Sequence, residues 1–219
     1  MSLPVLARAA TTRAAAILGT VSAPTSYAQA SKLLLRNSLL DAVRELLSER
    51  DWSKVTMADV ARQTGVSRQT VYNEFGSRHG LAQAYALRLV EQFTGQIGSA
   101  ISANVDDLDR ALVDGFDRFF ASAAADPMIA SLLSGEANSD LHRLITTDAA
   151  PLITAAKARL CDIVVGSWIG LPPDKAEPIA GAVARMALSY VAMPPEVPAP
   201  QVAANLAALF APAIREAAG

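Results

Sequence analysis

The stretch from Val55 to Leu81 constrains this chain more than any other part of it. Thr56, with Asp59 three residues on, is a variant of the capping box: a hydroxyl for a first-turn N–H and a carboxylate favoured by the helix dipole. Met57, Val60 and Ala61 then fall at the i, i+3, i+4 spacing of one buried face, and small Ala61 admits a close partner. Gly65 ends this helix, because a left-handed backbone is cheap only for glycine or asparagine. Val66 plugs the corner, and Ser67 is placed to cap a second helix. On that helix Val71 and Phe75 are four apart and point inward, which leaves Arg68, Gln69, Tyr72 and Asn73 on a neighbouring stripe. This is the build of a helix-turn-helix, whose second helix can lie in a DNA major groove. A guanidinium can bridge guanine O6/N7 and an amide can pair with adenine, while hydroxyls such as Thr70 and Tyr72 suit phosphate oxygens. A solvated helix face beside an ordinary turn is the bland alternative. The ordered combination of cap, small residue, turn glycine, second cap and aromatic pair argues against it.

The surrounding chain reads as helical. Ala30 to Arg50 carries Leu34, Leu35, Leu39, Val43, Leu46 and Leu47 near a 3.6 period, and Trp52 should brace the reading unit. Ser77 starts a long helix to about Ala103, which joins the reader to the body. Further helices are expected at about 106–125, 127–134, 138–147, 149–169, 174–193 and 198–217, punctuated by Pro127, Pro151, Pro173, Pro194, Pro195 and Pro198, with Gly135 and Asn138 interrupting the middle. With 52% hydrophobic residues, 18% charged residues and no alternating β-branched runs, the fold class is all-α. The expected division is an extension and linker at 1–29, a three-helix DNA-binding domain at 30–80 and a helical effector-binding and dimerisation domain at 81–219.

Charge is uneven. Residues 1–80 hold ten Lys/Arg against six Asp/Glu, whereas residues 81–219 hold nine against fifteen. A basic end on an acidic body fits a protein that meets phosphate at one end only. The single Cys161 excludes an intramolecular disulfide and fits a reducing cytoplasm; its apolar neighbours favour a buried structural thiol over a redox sensor. No apolar run approaches the roughly 18 residues of a membrane span. Arg8 and Arg13 before the apolar Ala14 to Val21, followed by Ala28-Gln29-Ala30, make a passable secretory signal. The apolar stretch is short and a DNA reader follows at once, so an extension with a short helix from about Pro4 to Leu18 and a Ser-Ala-Pro-Thr-Ser linker is preferred. Its arginines either reach a phosphate or minor groove, as arms do, or form a tail without a role. Two distant histidines, one cysteine and no phosphate loop or metal-ligand spacing leave an enzyme without machinery, and no cofactor is expected. Asp106, Asp107 and Asp109 are better explained by helix capping than by a cation.

The run Trp52-Ser53-Lys54-Val55-Thr56-Met57-Ala58-Asp59-Val60-Ala61, then Gly65-Val66-Ser67, Val71-Tyr72, Phe75, Ser77-Arg78 and Leu81, resembles the TetR family of bacterial transcriptional regulators over about Ala30 to Leu89. The resemblance implies DNA-binding roles for Thr56, Ser67, Arg68, Gln69, Thr70, Tyr72 and Asn73: Arg68 and Gln69 as base readers, Thr70 and Tyr72 as phosphate clamps, Thr56 in support. Arg78 stands where the family usually has a phosphate-binding lysine. Glu74 departs from the pattern by placing an acid near the DNA side. His79-Gly80 replaces a helix-favouring acidic pair, so a looser start to the next helix is expected.

The small and aliphatic residues Ala156, Leu160, Val164, Ile179, Val183 and Ala187 suit a four-helix dimer seam, the arrangement the family commonly uses, although they could instead line the monomer core. The family also encloses a small-molecule pocket, for which Phe93, Phe116, Phe119, Phe120, Met128 and Trp168 are the candidate lining. With few charges inside, the expected effector is lipophilic: an acyl chain, hydrocarbon or hydrophobic drug. His142-Arg143 could hold a polar head group, though Arg143 suits the surface better. The expectation is a cytoplasmic homodimeric repressor that grips a palindromic DNA operator until effector binds. A helical lipid carrier without DNA affinity is the alternative.

Overall fold

The computed structural model describes residues 27–134 and 138–219, all of them helix, turn or loop. The expected amino-terminal helix, the linker, Arg8, Arg13 and Gly135 lie outside the described residues. The chain divides into two compact units: one ends at Asn37, and the other runs from Ser38 to Gly219. In the first, residues 27–37 are the opening turns of helix α1 (Tyr27–Glu49), where Leu34 is 71% exposed. The apolar face expected along this helix is buried only from Leu39 onward.

Within the second unit the reader forms as its local chemistry dictates. A 3-10 turn at Trp52–Lys54 is capped by Asp51, whose side chain accepts from the Ser53 N–H. Helix α2 (Met57–Thr64) opens on the full capping box: Thr56 Oγ1 accepts the Asp59 N–H at 3.2 Å, and Asp59 Oδ2 accepts the Thr56 N–H at 3.1 Å. Gly65 closes it at φ 71°, ψ 19°. Ser67 caps α3 (Arg68–Phe75), which buries Val71 and Phe75. Trp52 is fully buried, and an indole of this size removes about 150–250 Å² from water, about 4–6 kcal/mol of transfer free energy as an upper bound.

Helix α4 (Arg78–Ala103) runs from the reader into the body, where it packs on α5 (Leu108–Ala124), α7 (Ser139–Ile145) and α8 (Ala150–Gly166). Its start is tight, against expectation. Ser77 accepts the Gly80 N–H, and a Cβ at Gly80 would sit 2.1 Å from the Phe75 carbonyl oxygen, so glycine is what lets α3 abut α4. Helix α6 (Pro127–Leu133) begins at buried Asp126, whose carboxylate accepts from the Met128 and Ile129 N–H groups. Helix α9 (Pro173–Ala192) pairs with α8, and α10 (Ala199–Ala218) covers α5. Asp107 caps α5, and Asp109 pairs with Arg215. No described helix is long and apolar enough to cross a membrane.

Candidate DNA-reading face and effector cavity

The exposed face of α3 gathers Arg68, Gln69, Tyr72 and Asn73 within two turns. Arg68 Nη2 donates to the Tyr72 hydroxyl at 3.1 Å with its guanidinium 5.2 Å from the ring centroid, and Gln69 Nε2 donates to Asn73 Oδ1 at 2.8 Å. These i, i+4 pairs hold four polar groups in register along the helix and reduce the rotamer entropy lost on docking. Ser67 and Thr70 share a 2.9 Å hydroxyl contact at the helix start. Thr56 donates its hydroxyl to Asp59, so its first duty is to cap α2, although the residue is exposed.

Arg78 is placed otherwise than expected. Its Nε donates to the Val55 carbonyl at 2.9 Å, Nη2 to the Trp52 carbonyl and Nη1 to Asp140 Oδ2 at 2.5 Å, and the guanidinium lies 4.4 Å from the Trp52 ring centroid. Every nitrogen of this cation is engaged by the protein itself. It pins the turn before α2 to the start of α4 and to α7. The neighbouring His79 Nε2 lies 3.0 Å from Asp148 Oδ2, and Asp148 also pairs with Arg143 at 2.7 Å. His142 and Arg143 are exposed and so hold no head group inside.

Other bonds extend this fastening. Ser131 Oγ accepts the Trp52 N–H at 3.1 Å, and Asn138 Nδ2 donates to Asp51 Oδ1 at 3.1 Å. Desolvation opposes the Asp51 carboxylate, but hydrogen bonds from the Ser53 backbone and from Asn138, Ser53 and Ser131 outweigh it and hold the pKa at about 2. Asp126, 3% exposed, accepts from the Tyr85 hydroxyl at 3.1 Å and has Arg44 at 3.8 Å. Burial, with the Asp126 charge beside it, pushes the Tyr85 phenol well above its usual range, so it stays a donor. None of this network is recognisable in the sequence, because its partners are up to 87 residues apart.

The other faces of α6 and α7 wall a cavity. Met128, Ile129 and Leu132 line it from α6, Leu141, Leu144 and Ile145 from α7, and α4, α5, α8, α9 and α10 complete it. The space open to the centre of a water-sized sphere is about 130 Å³. Phe93, Phe116, Phe119 and Met128 of the candidate lining residues stand in its wall. Phe120 and Trp168 do not. Phe120 meets Phe119 and Tyr190 edge to face, at 5.2 and 5.3 Å between centroids, and Trp168 donates its indole N–H to the Ile101 carbonyl at 2.7 Å. Among the described residues no charged side chain lines the cavity; the polar groups are the hydroxyls of Tyr190 and Thr94, the latter donating to the Val90 carbonyl.

The six residues expected at a dimer seam face inward as well. Ala156, Leu160, Val183 and Ala187 line the large cavity, and Val164 and Ile179 line a smaller one beside it. Cys161 is half-buried against the Leu160–Ala180–Ala184 cluster. Helix α8 is rich in small and aliphatic residues, with Thr154, Lys157, Arg159 and Asp162 among them, and only Leu152 and Leu160 of it are buried. Its outer face, with Ala158 and Asp162, and that of α9, with Ala182 and Arg185, are exposed.

Comparison with known proteins agrees with this geometry. The profile described as bacterial regulatory proteins, tetR family, matches residues 39–85, and that of the bacterial tetracyclin repressor C-terminal domain matches residues 107–212. A Mycobacterium tuberculosis protein named HTH-type transcriptional regulator AlkX is 52% identical over 85% of this chain and 88% of its own. The crystal structure of the TetR family repressor AlkX from a Dietzia species, implicated in biodegradation of n-alkanes, superposes with a TM-score of 0.78 at 41% identity, covering 84% of this chain and 97% of that one. At 17% identity the RolR complex with resorcinol shares the fold, with a TM-score of 0.55 over 87% of this chain and 95% of the other. The carrier reading is not favoured. With its capped reader, its apolar cavity and these relatives, the chain belongs to the TetR family and is a helix-turn-helix, DNA-binding regulator of transcription.

Proposed function

We propose that this regulator is a cytoplasmic homodimeric repressor that holds a palindromic operator and releases it when a lipophilic molecule enters the large cavity. Residues 30–80 serve as the reader and 81–219 as the effector-binding and dimerisation body. The observation that carries the proposal is the double role of α6 and α7: one face walls a cavity with no charged side chain among the described residues, and the other fastens Asp51, Trp52 and Arg78 of the reader. A charged effector would lie there without a counter-ion, which burial makes costly, so an apolar ligand is favoured. The Dietzia relative's implication in n-alkane biodegradation supports the same chemistry. On α3, Arg68 and Gln69 read base edges, Tyr72 and Thr70 clamp phosphates, and Ser67, Asn73 and Thr56 support them. The dimer seam is the outer face of α8 and α9 around Ala158, Asp162, Ala182 and Arg185, where exposed alanines let a second pair of helices approach closely. A regulator of this kind performs no catalysis.

The test is selection of bound fragments from genomic DNA by the purified protein, with Tyr72→Ala as control. An enriched palindrome lost in the variant is expected. Arg68→Ala should relax preference at particular base pairs by about 1–3 kcal/mol, whereas Tyr72→Ala should weaken every sequence alike. Enrichment of direct repeats or of no site would overturn the proposal.

A further inference from the structure

Two cavities lie in line along α4. The large one is walled by α4 from Ala86 to Ile97, and the smaller, about 50 Å³ on the same measure, from Ile97 to Ile101. They share Ile97, Phe116, Leu160, Val183 and Phe210. The Phe116 and Phe210 rings stand 6.2 Å apart, tilted by 34°, as a partition. Among the described residues neither cavity has a charged side chain in its wall, and the smaller has no polar side chain at all.

We infer that the smaller cavity is the far compartment of the effector site and that it selects unbranched aliphatic chains by length. This rests on reading the large cavity as that site. At a helical rise of 1.5 Å per residue, α4 residues 86–97 span about 16 Å and residues 97–101 about 6 Å more. An extended chain advances about 1.2 Å per bond, so the first compartment takes about 13 carbons and the second about five further ones. At 6.2 Å the Phe116 and Phe210 rings touch and close the way between the compartments, so they must swing apart to admit a chain, and the small opening this gives favours slender tails over branched or ring-bearing ones. The far compartment is apolar and stays dry when empty, so each methylene entering it should raise affinity about fourfold without displacing ordered water.

Ala180 lines only the smaller cavity and is buried, so Ala180→Leu fills it; Ile179→Phe, from the same wall, is the second variant. The measurement is the dissociation constant of the full-length protein for 1-alkanols of 8 to 20 carbons, with n-alkanes and n-alkanoic acids of equal length as parallel arms. Wild type should gain affinity up to about 18 carbons. In both variants the gain should stop near 13, leaving shorter chains unaffected and costing the longest on the order of a thousandfold. The unaffected short chains show that the variants are folded. The three arms identify which class of compound supplies the chain. A wild-type plateau already at 13 carbons, or variants that follow wild type to 18, would overturn the inference while leaving the large cavity as the effector site. Failure of wild type to bind any chain would remove both readings.

Discussion

Arg78→Ala separates two roles for one cation. The substitution deletes donors to the Val55 carbonyl, the Trp52 carbonyl and Asp140, together with the stack on Trp52. Hydrogen bonds to charged groups contribute about 1.5–3 kcal/mol each when buried, and a cation over an aromatic face about 0.5–1 kcal/mol. The Arg78 side chain is 32% exposed and that of Asp140 21%, so solvent screens part of this. Trp52 O also keeps its bond from the Val55 N–H, so the loss should total about 2–4 kcal/mol. For a chain of this size each kcal/mol lowers Tm by about 2–4 °C, so a fall of about 5–15 °C is expected. Lysine should not rescue it, since one ammonium cannot span two carbonyls and a carboxylate as a planar fork does. A phosphate contact predicts otherwise. Losing one per protomer of a dimer would flatten the dependence of log K on log salt by about 1.8, with Tm unchanged. The assay is thermal unfolding of Arg78→Ala beside an operator titration at several salt concentrations, well below its Tm. A normal Tm with a flattened slope would refute the structural role.

Three further outcomes can be checked together. Gly80→Ala should destabilise by about 3 kcal/mol or more despite alanine's helix propensity, because its Cβ would sit 2.1 Å from a backbone oxygen that cannot swing away; a variant at least as stable as wild type sinks that reading. Asp51, held at about 2 against an unfolded value of 3.8, stabilises the fold above pH 4 and loses that contribution as pH falls from about 4 through 2. After allowance for solvent screening the amount is about 1 kcal/mol, and Asp51→Asn should abolish this part of the acid sensitivity in urea unfolding at stepped pH. Ala182→Glu should yield monomers in sedimentation, whereas Val183→Ala should leave the dimer intact; the reverse pattern would restore the seam to the inward face.

The sequence by itself determined what depends on neighbours within about four residues. The Thr56 and Ser67 caps, the Gly65 stop, the inward Val71 and Phe75 and the polar stripe between them are all set by local hydrogen bonds and helical period. They emerge in the fold where the residues put them. Tertiary structure alone decided which way the ambiguous side chains turn. A guanidinium at position 78 suits a phosphate as well as a carbonyl cage, and only the approach of Trp52, Val55 and Asp140 settles its direction. Gly80 reads as a weak helix former until Phe75 comes against it. The faces of α8 and α9 were illegible for a related reason. Small and aliphatic residues are spread around both helices, so periodicity gives only a weak inward direction, and the choice falls to the sides that α4 covers on α8 and that α8, α10 and α6 cover on α9.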